Sequence, residues 1–348
     1  MTDSGASSRP PIDRPLPGPA RPPHRSAPGP RPGPVAPSGG LSPVARAREF
    51  VRRTARVLEQ RRFAHHFPAP CDPQDTARGA RADAVETALA AYGNEDGGFG
   101  HGLDPGLRGP GSSPLHTVYA LEVLDSIGRC EGRRVERLGG YLTSVSAPDG
   151  ALPALAANAP RHPGSCGELL VAGPVVGLLH RNDVWHTWLF RATDFCWQAV
   201  EALHAPRPRE IEAAVRFLDH APDRTRAWDA ADRLGRMVRE RRLVVLDGRR
   251  PLGGGTQGGA RFPYHYARTP QSLAAAWFTD AEMARSLDQL AARQQHDGGW
   301  QVAPGADGAA GAAGRRWAPG AAQECLERRP VATIEALRTL CAFGRHIG

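Results

Sequence analysis

The stretch QLAARQQHDGGWQ (Gln289–Gln301) decides the fold. It runs from an alanine- and leucine-rich helix pattern into a polar pair, then Asp-Gly-Gly and an aromatic ring. An earlier stretch, ALAAYGNEDGGFG (Ala88–Gly100), has the same order. Each is followed, after a variable loop, by a matching segment: SPLHTVYALEVLDSIG (Ser113–Gly128) and RPVATIEALRTLCAFG (Arg329–Gly344). A fainter third copy is YLTSVSAPDGALP (Tyr141–Pro153). Repetition at this level predicts an array of helical hairpins, each burying one face on the next.

The turn has a physical logic. Gly97, Gly98, Gly298 and Gly299 can adopt backbone that ends a helix. The carboxylates of Asp96 and Asp297 can accept backbone N–H bonds two residues on. Phe99 and Trp300 can then fold back over the preceding helix, and the Thr-x-x-Ala-Leu helix returns antiparallel. This role needs no chemistry from either aspartate.

Further helical patterns fall near 76–92, 114–128, 133–146, 166–180, 186–204, 208–220, 225–241, 280–295 and 330–344. A first amphipathic helix begins at Val44 and runs through Phe50, Val51, Thr54, Val57 and Leu58. Strand-like alternation is confined to LVVL (243–246). The expected class is all-α, one domain over 44–348. Residues 1–43 carry 13 prolines, and such a segment is expected to be a disordered tail, with a protein partner as its one plausible use.

Composition limits the function. All 44 basic residues are arginine, and the net charge is +8. Residues 1–45 hold five Arg against two Asp, and 46–62 hold seven Arg against two Glu. The rest is nearly neutral, unlike the basic face of a nucleic-acid binder. Six scattered cysteines without a CxxC pair suggest reduced thiols and a cytoplasmic chain. The apolar run 169–179 is too short for a membrane span.

Gln294, Gln295, Asp297, Gly298, Gly299 and Trp300 together resemble the QW repeat of the terpenoid cyclase and protein prenyltransferase superfamily. The resemblance implies an α/α toroid, a double ring of about 10–12 helices in five to six hairpins around an apolar central cavity. It implies an isoprenoid or other apolar small molecule as ligand, and transferase or cyclase chemistry if the chain is an enzyme. The family's acidic cyclisation motif DxDD and its diphosphate motif DDxxD are absent here; the nearest pairs are Asp72/Asp75 and Asp229/Asp232. In TDFCWQA (Thr193–Ala199), Asp194 and Cys196 look like the prenyltransferase zinc segment, and His265 in FPYHYARTP is the available third ligand for Zn²⁺.

The loop GHGLDPGLRGPGSSP (100–114) offers Asp96, His101 and Asp104 as acid–base candidates and Arg108 as an anion clamp. Tyr264 and Tyr266 are candidate substrate contacts on a second irregular loop, 253–270. Two alternatives stand beside the isoprenoid reading. One is a non-catalytic toroid that binds lipid or protein. The other is a carbohydrate-active α/α toroid using paired carboxylates such as Asp96 and Asp104.

Overall fold

The computed structural model describes residues 41–69, 76–153, 169–246, 261–302 and 321–347. The tail expected over 1–43 therefore lies outside the described residues up to position 40, as do Asp72, Asp75 and residues 253–260 of the second loop. Every regular element described is helical: α1 (Pro43–Thr54), α2 (Val57–His66), α3 (Thr76–Ala90), α4 (Pro114–Ser126), α5 (Gly132–Val145), α6 (Leu169–Arg181), α7 (Thr187–Glu201), α8 (Pro208–Leu218), α9 (Arg224–Glu240), α10 (Pro263–Tyr266), α11 (Asp280–Ala292) and α12 (Ala321–Ala342), with a 3-10 turn at Leu273–Trp277. The chain is all-α. Residues 243–246 form no strand; Val245 N–H simply donates to the Arg261 carbonyl at 2.7 Å.

The helices begin where side chains can satisfy their first N–H groups. Ser42 accepts from Ala45 N–H and Ser113 from Leu115 N–H, each followed by Pro at the first helical position. Thr279 and Glu282 form a reciprocal cap on α11. His186 caps α7 through Nδ1. One sequence expectation is corrected here: the first helix is two. Ala55 is extended, and Arg56 starts α2 with its guanidinium forked onto Glu59 at 2.7 and 3.0 Å. A second correction concerns α12, which begins nine residues before Pro330 and carries that proline internally.

The repeated turns match closely. Asp96 Oδ1 accepts from Gly98 N–H at 2.9 Å, Asp297 Oδ1 from Gly299 N–H at 3.0 Å, and Asp149 Oδ1 from Ala151 N–H at 3.0 Å. Gly97, Gly298 and Gly150 have φ of 87°, 92° and 92°, backbone that disfavours any side chain. Short antiparallel bridges join Gly93 to Phe99 and Gln294 to Trp300. Phe99 and Trp300 are each 3% exposed, and the Trp300 indole N–H donates to the Leu290 carbonyl of α11 at 2.8 Å. The return helices α4 and α12 both end in a left-handed glycine, Gly128 and Gly344.

Each turn seats on the backbone of another helix. A Cβ on Gly97 would collide with the Arg137 carbonyl of α5, and one on Gly150 with the backbone of Arg191 and Ala192 on α7. On Gly298 it would strike the Arg46 carbonyl of α1, at the opposite end of the fold's sequence. Gln294 strengthens that last seat by hydrogen bonds to Arg46 and to the Pro43 carbonyl. Val44 N–H also donates to Ile347 O at 3.1 Å.

The core runs through all these helices. α6 is its most apolar member, buried from Val171 to Leu179. Gly173 and Gly177 let it lie against the α8 backbone at Ala213 and Arg216, which explains an apolar helix broken twice by glycine.

Candidate functional site

The loop candidates are held by structural bonds. Asp96 accepts from Gly98 N–H and from the Ser112 hydroxyl at 2.8 Å. His101 has φ 56° and lies with Nε2 2.9 Å from Asn94 Oδ1. Asp104 accepts from Gly106 N–H and pairs with Arg328 of α12. Its own N–H donates to Nδ1 of the buried His116 at 2.9 Å. Arg108 pairs with Glu327 at 2.8 Å. Arg56 completes the arrangement by donating to the carbonyls of Gly102 and Leu103. The loop is thus strapped to α2 and α12. Asp96 and Asp104 serve different partners, one inside its turn and one on α12.

Asp194, Cys196 and His265 are not brought together. Asp194 is exposed on α7, whereas Cys196 is fully buried two residues on, on another face of the helix. Burial pushes the Cys196 thiol far up, the opposite of what a metal thiolate needs. His265 Nδ1 accepts from Phe262 N–H at 3.0 Å, and its ring stacks on Tyr264 with centroids 4.2 Å apart. Among the described residues no three His, Cys, Asp or Glu side chains converge as a metal site. Tyr264 and Tyr266 are buried rather than presented to a ligand. The Tyr264 hydroxyl accepts from Arg293 at 3.0 Å, and the Tyr266 hydroxyl donates to the Leu243 carbonyl at 2.9 Å.

A different group of polar side chains gathers between α2, α4, α8 and α12. Arg62, 1% exposed, donates to the Tyr119 hydroxyl at 3.0 Å and to Glu335 at 2.8 Å. Tyr119 donates onward to the buried Glu59 at 2.9 Å. Arg338 reaches both Glu335 oxygens at 3.2 Å, and Arg216 pairs with Glu122. Burial pushes the Tyr119 phenol well above its ordinary value, and Glu59 adds to the rise. For Glu335 burial acts upward, but Arg338, Arg62, Arg268 and His66 outweigh it and hold the carboxyl at about 2. About a third of the Glu335 and Arg338 side chains remains open to solvent, at 35% and 33%. These two side chains therefore stand at the edge of the core, in contact with solvent.

The sequence carried a signal for this belt. Counting from the shared threonines, Thr117 and Thr333, the second and fifth residues are Tyr119 and Glu122 in one copy and Glu335 and Arg338 in the other. Two polar positions recur after the threonines, within segments that are otherwise mainly apolar. That pattern marks a polar lining rather than a solvated outer face.

No protein-family model matches this chain, and no curated protein matches it.

Proposed function

We propose that the chain folds as an α/α toroid and takes an apolar, isoprenoid-like ligand into the space between its inner helices, as a prenyltransferase- or cyclase-like protein. The observation that carries this reading is the seating of the Asp297 turn on α1 in the manner of the Asp96 turn on α5 and the Asp149 turn on α7. A linear array would leave the last turn without a helix to sit on; here the first helix fills that role. On this reading α1, α3, α5, α7, α9 and α11 form the outer layer and the even-numbered helices the inner one. Contacts of α12 with α2, α4 with α6 and α6 with α8 agree with it.

The polar belt then lies on the inner wall, opposite the apolar α6. A ligand with an apolar body and a polar end suits that division. The experiment is retention of an uncharged long-chain prenyl alcohol by the purified chain, read by native mass spectrometry. Stoichiometric retention is the expected result, and failure to retain any prenyl chain of any length sinks the reading.

One observation favours binding without turnover. Glu59, Asp96, Asp104 and Glu335 are each engaged by an arginine or a backbone N–H, which leaves these carboxylates poorly placed as proton donors. A retained prenyl ligand recovered chemically unchanged after long incubation supports that version, and a rearranged product overturns it.

A further inference from the structure

α12 is divided by its own proline. Pro330 has no N–H to offer the Leu326 carbonyl one turn back, so the helix lacks a bond near its middle. The two sides of this break differ. After it, Thr333, Ile334, Ala336, Leu337 and Leu340 are buried in the core. Before it, none of residues 322–329 is buried, and even Leu326 is 57% exposed. Arg329 fixes the break itself. Its guanidinium donates to Asp297 at 2.8 Å and to the Trp300 carbonyl at 3.3 Å, and lies 4.7 Å from the centre of the Phe50 ring.

The arm that precedes Arg329 is held to the 104–108 loop by polar contacts. Arg328 pairs with Asp104 of the loop and with Glu324 of its own helix. Glu327 accepts from Arg108 and from the Gln323 amide, each at 2.8 Å. Gly106 sits against the ends of the Glu324 and Arg328 side chains, and a Cβ there would displace them. On its other side the loop is tied to the core. Arg56 donates to the Gly102 and Leu103 carbonyls, Leu103 is fully buried, and Asp104 N–H reaches His116. A segment with few buried apolar contacts opens more easily than the core it adjoins. Ion pairs near the surface hold it only modestly, and salt screens them. We propose that the arm 321–329 is a hinged latch: it swings at Pro330, with Arg329 as its anchor, and its release from Asp104 and Arg108 frees the 104–108 loop.

The loop lies where α2 and α4 begin, between Arg56 and the Ser113 cap. The latch itself does not depend on the ligand reading; what it guards rests on that reading. In a toroid the loop closes one end of the inner layer, and the apolar ligand enters past it. The test is hydrogen exchange of the full chain without ligand, read by mass spectrometry. Amides 325–329 are expected to exchange at least about tenfold faster than amides 333–342. They are expected to speed up together with amides 105–108 when sodium chloride is raised from about 0.01 to about 1 M. Glu327→Arg sets two cations face to face and is expected to speed both segments. Adding Arg108→Glu reverses the pair and is expected to restore slow exchange. Pro330→Ala supplies the missing N–H and is expected to slow 325–329 alone. Unchanged protection at 333–342 shows that each variant is folded. Exchange of 325–329 in step with 333–342, or a Glu327→Arg effect that the reversed pair does not rescue, overturns the latch. Uptake of a prenyl alcohol is expected to be faster in Glu327→Arg; equal uptake overturns the guarding role. Failure of every variant to retain a prenyl alcohol removes the ligand reading and leaves the latch to be decided by exchange alone.

Discussion

At the scale of single residues, the repeated turn makes the sharpest demands. Gly298 combines a φ of 92° with a backbone carbonyl where its Cβ would sit. Left-handed backbone alone costs about 1–2 kcal/mol for an L-residue, and the clash with α1 adds to it. Gly298→Ala is therefore expected to destabilise the fold by about 2–4 kcal/mol in urea titration. An effect below about 0.5 kcal/mol would show that the turn does not press on α1. Asp297 is the companion case. Its pairing with Arg329, opposed by burial and aided by Gly299 N–H, depresses its pKa. A depressed carboxylate contributes stability above its unfolded value of about 3.9 and loses it as pH falls through the folded value. Asp297→Asn is expected to lower stability at neutral pH and to flatten the acid limb, so that the two proteins converge in stability below about pH 4. Cys196 belongs here too: buried and far from Asp194's exposed face, it predicts that Cys196→Ala leaves zinc content unchanged by metal analysis and costs about 1 kcal/mol of packing.

At the scale of elements, the belt joining α2, α4 and α12 sets the interior. Arg62 is the joint, since it alone bonds to both Tyr119 and Glu335. Removing one partner of a buried charged pair typically costs about 3–5 kcal/mol, because the other charge is left stranded. Arg62→Met is expected to fall at that end by chemical denaturation, and Tyr119→Phe nearer about 1–2 kcal/mol, because it strands only hydrogen bonds. A pair of variants with equal, small effects would mean that the belt is solvated and loosely held. The elements also show how far the sequence could be read. Asp-Gly-Gly-aromatic turns and their return helices were legible because local residues enforce them: the Asp, the glycines and the ring all act within a few positions. The break between α1 and α2 was not, because Ala55 and Arg56 give no glycine or proline signal. The pairing that sets the second helix, Arg56 onto Glu59 and onto the 102–103 carbonyls, is largely tertiary. Asp104 and Arg108 exceed the needs of their own turn, and α12 supplies their partners from far along the chain, which no local pattern announces. The belt itself was half visible, through the recurrence after Thr117 and Thr333, but Arg62 and His66 gain their meaning only when α2 and α12 meet.

At the scale of the whole fold, the meeting of its two ends decides the architecture. Val44 bonds to Ile347, Arg46 to Gln294, and Gly298 rests on α1, so the beginning and end of residues 41–348 are neighbours. Chains whose ends adjoin tolerate circular permutation when the new opening cuts few contacts. Joining Gly348 to Leu41 by a short Gly-Ser linker and opening the chain between Pro160 and Arg161 preserves every bond described above. Such a permutant is expected to keep its helical signal, to unfold cooperatively, and to melt within a few degrees of a chain trimmed to 41–348. Opening it instead between Gln295 and His296, inside the turn that seats on α1, is expected to lose most of the stability, because the seat is formed by the turn's closed geometry. The contrast matters more than either result. If both permutants melt alike, the contact between the last turn and α1 adds nothing to the fold, and a closed arrangement of helices has no energetic basis. If only the second collapses, the last unit and the first helix act as one hairpin contact among equals, as a ring requires and an open stack does not.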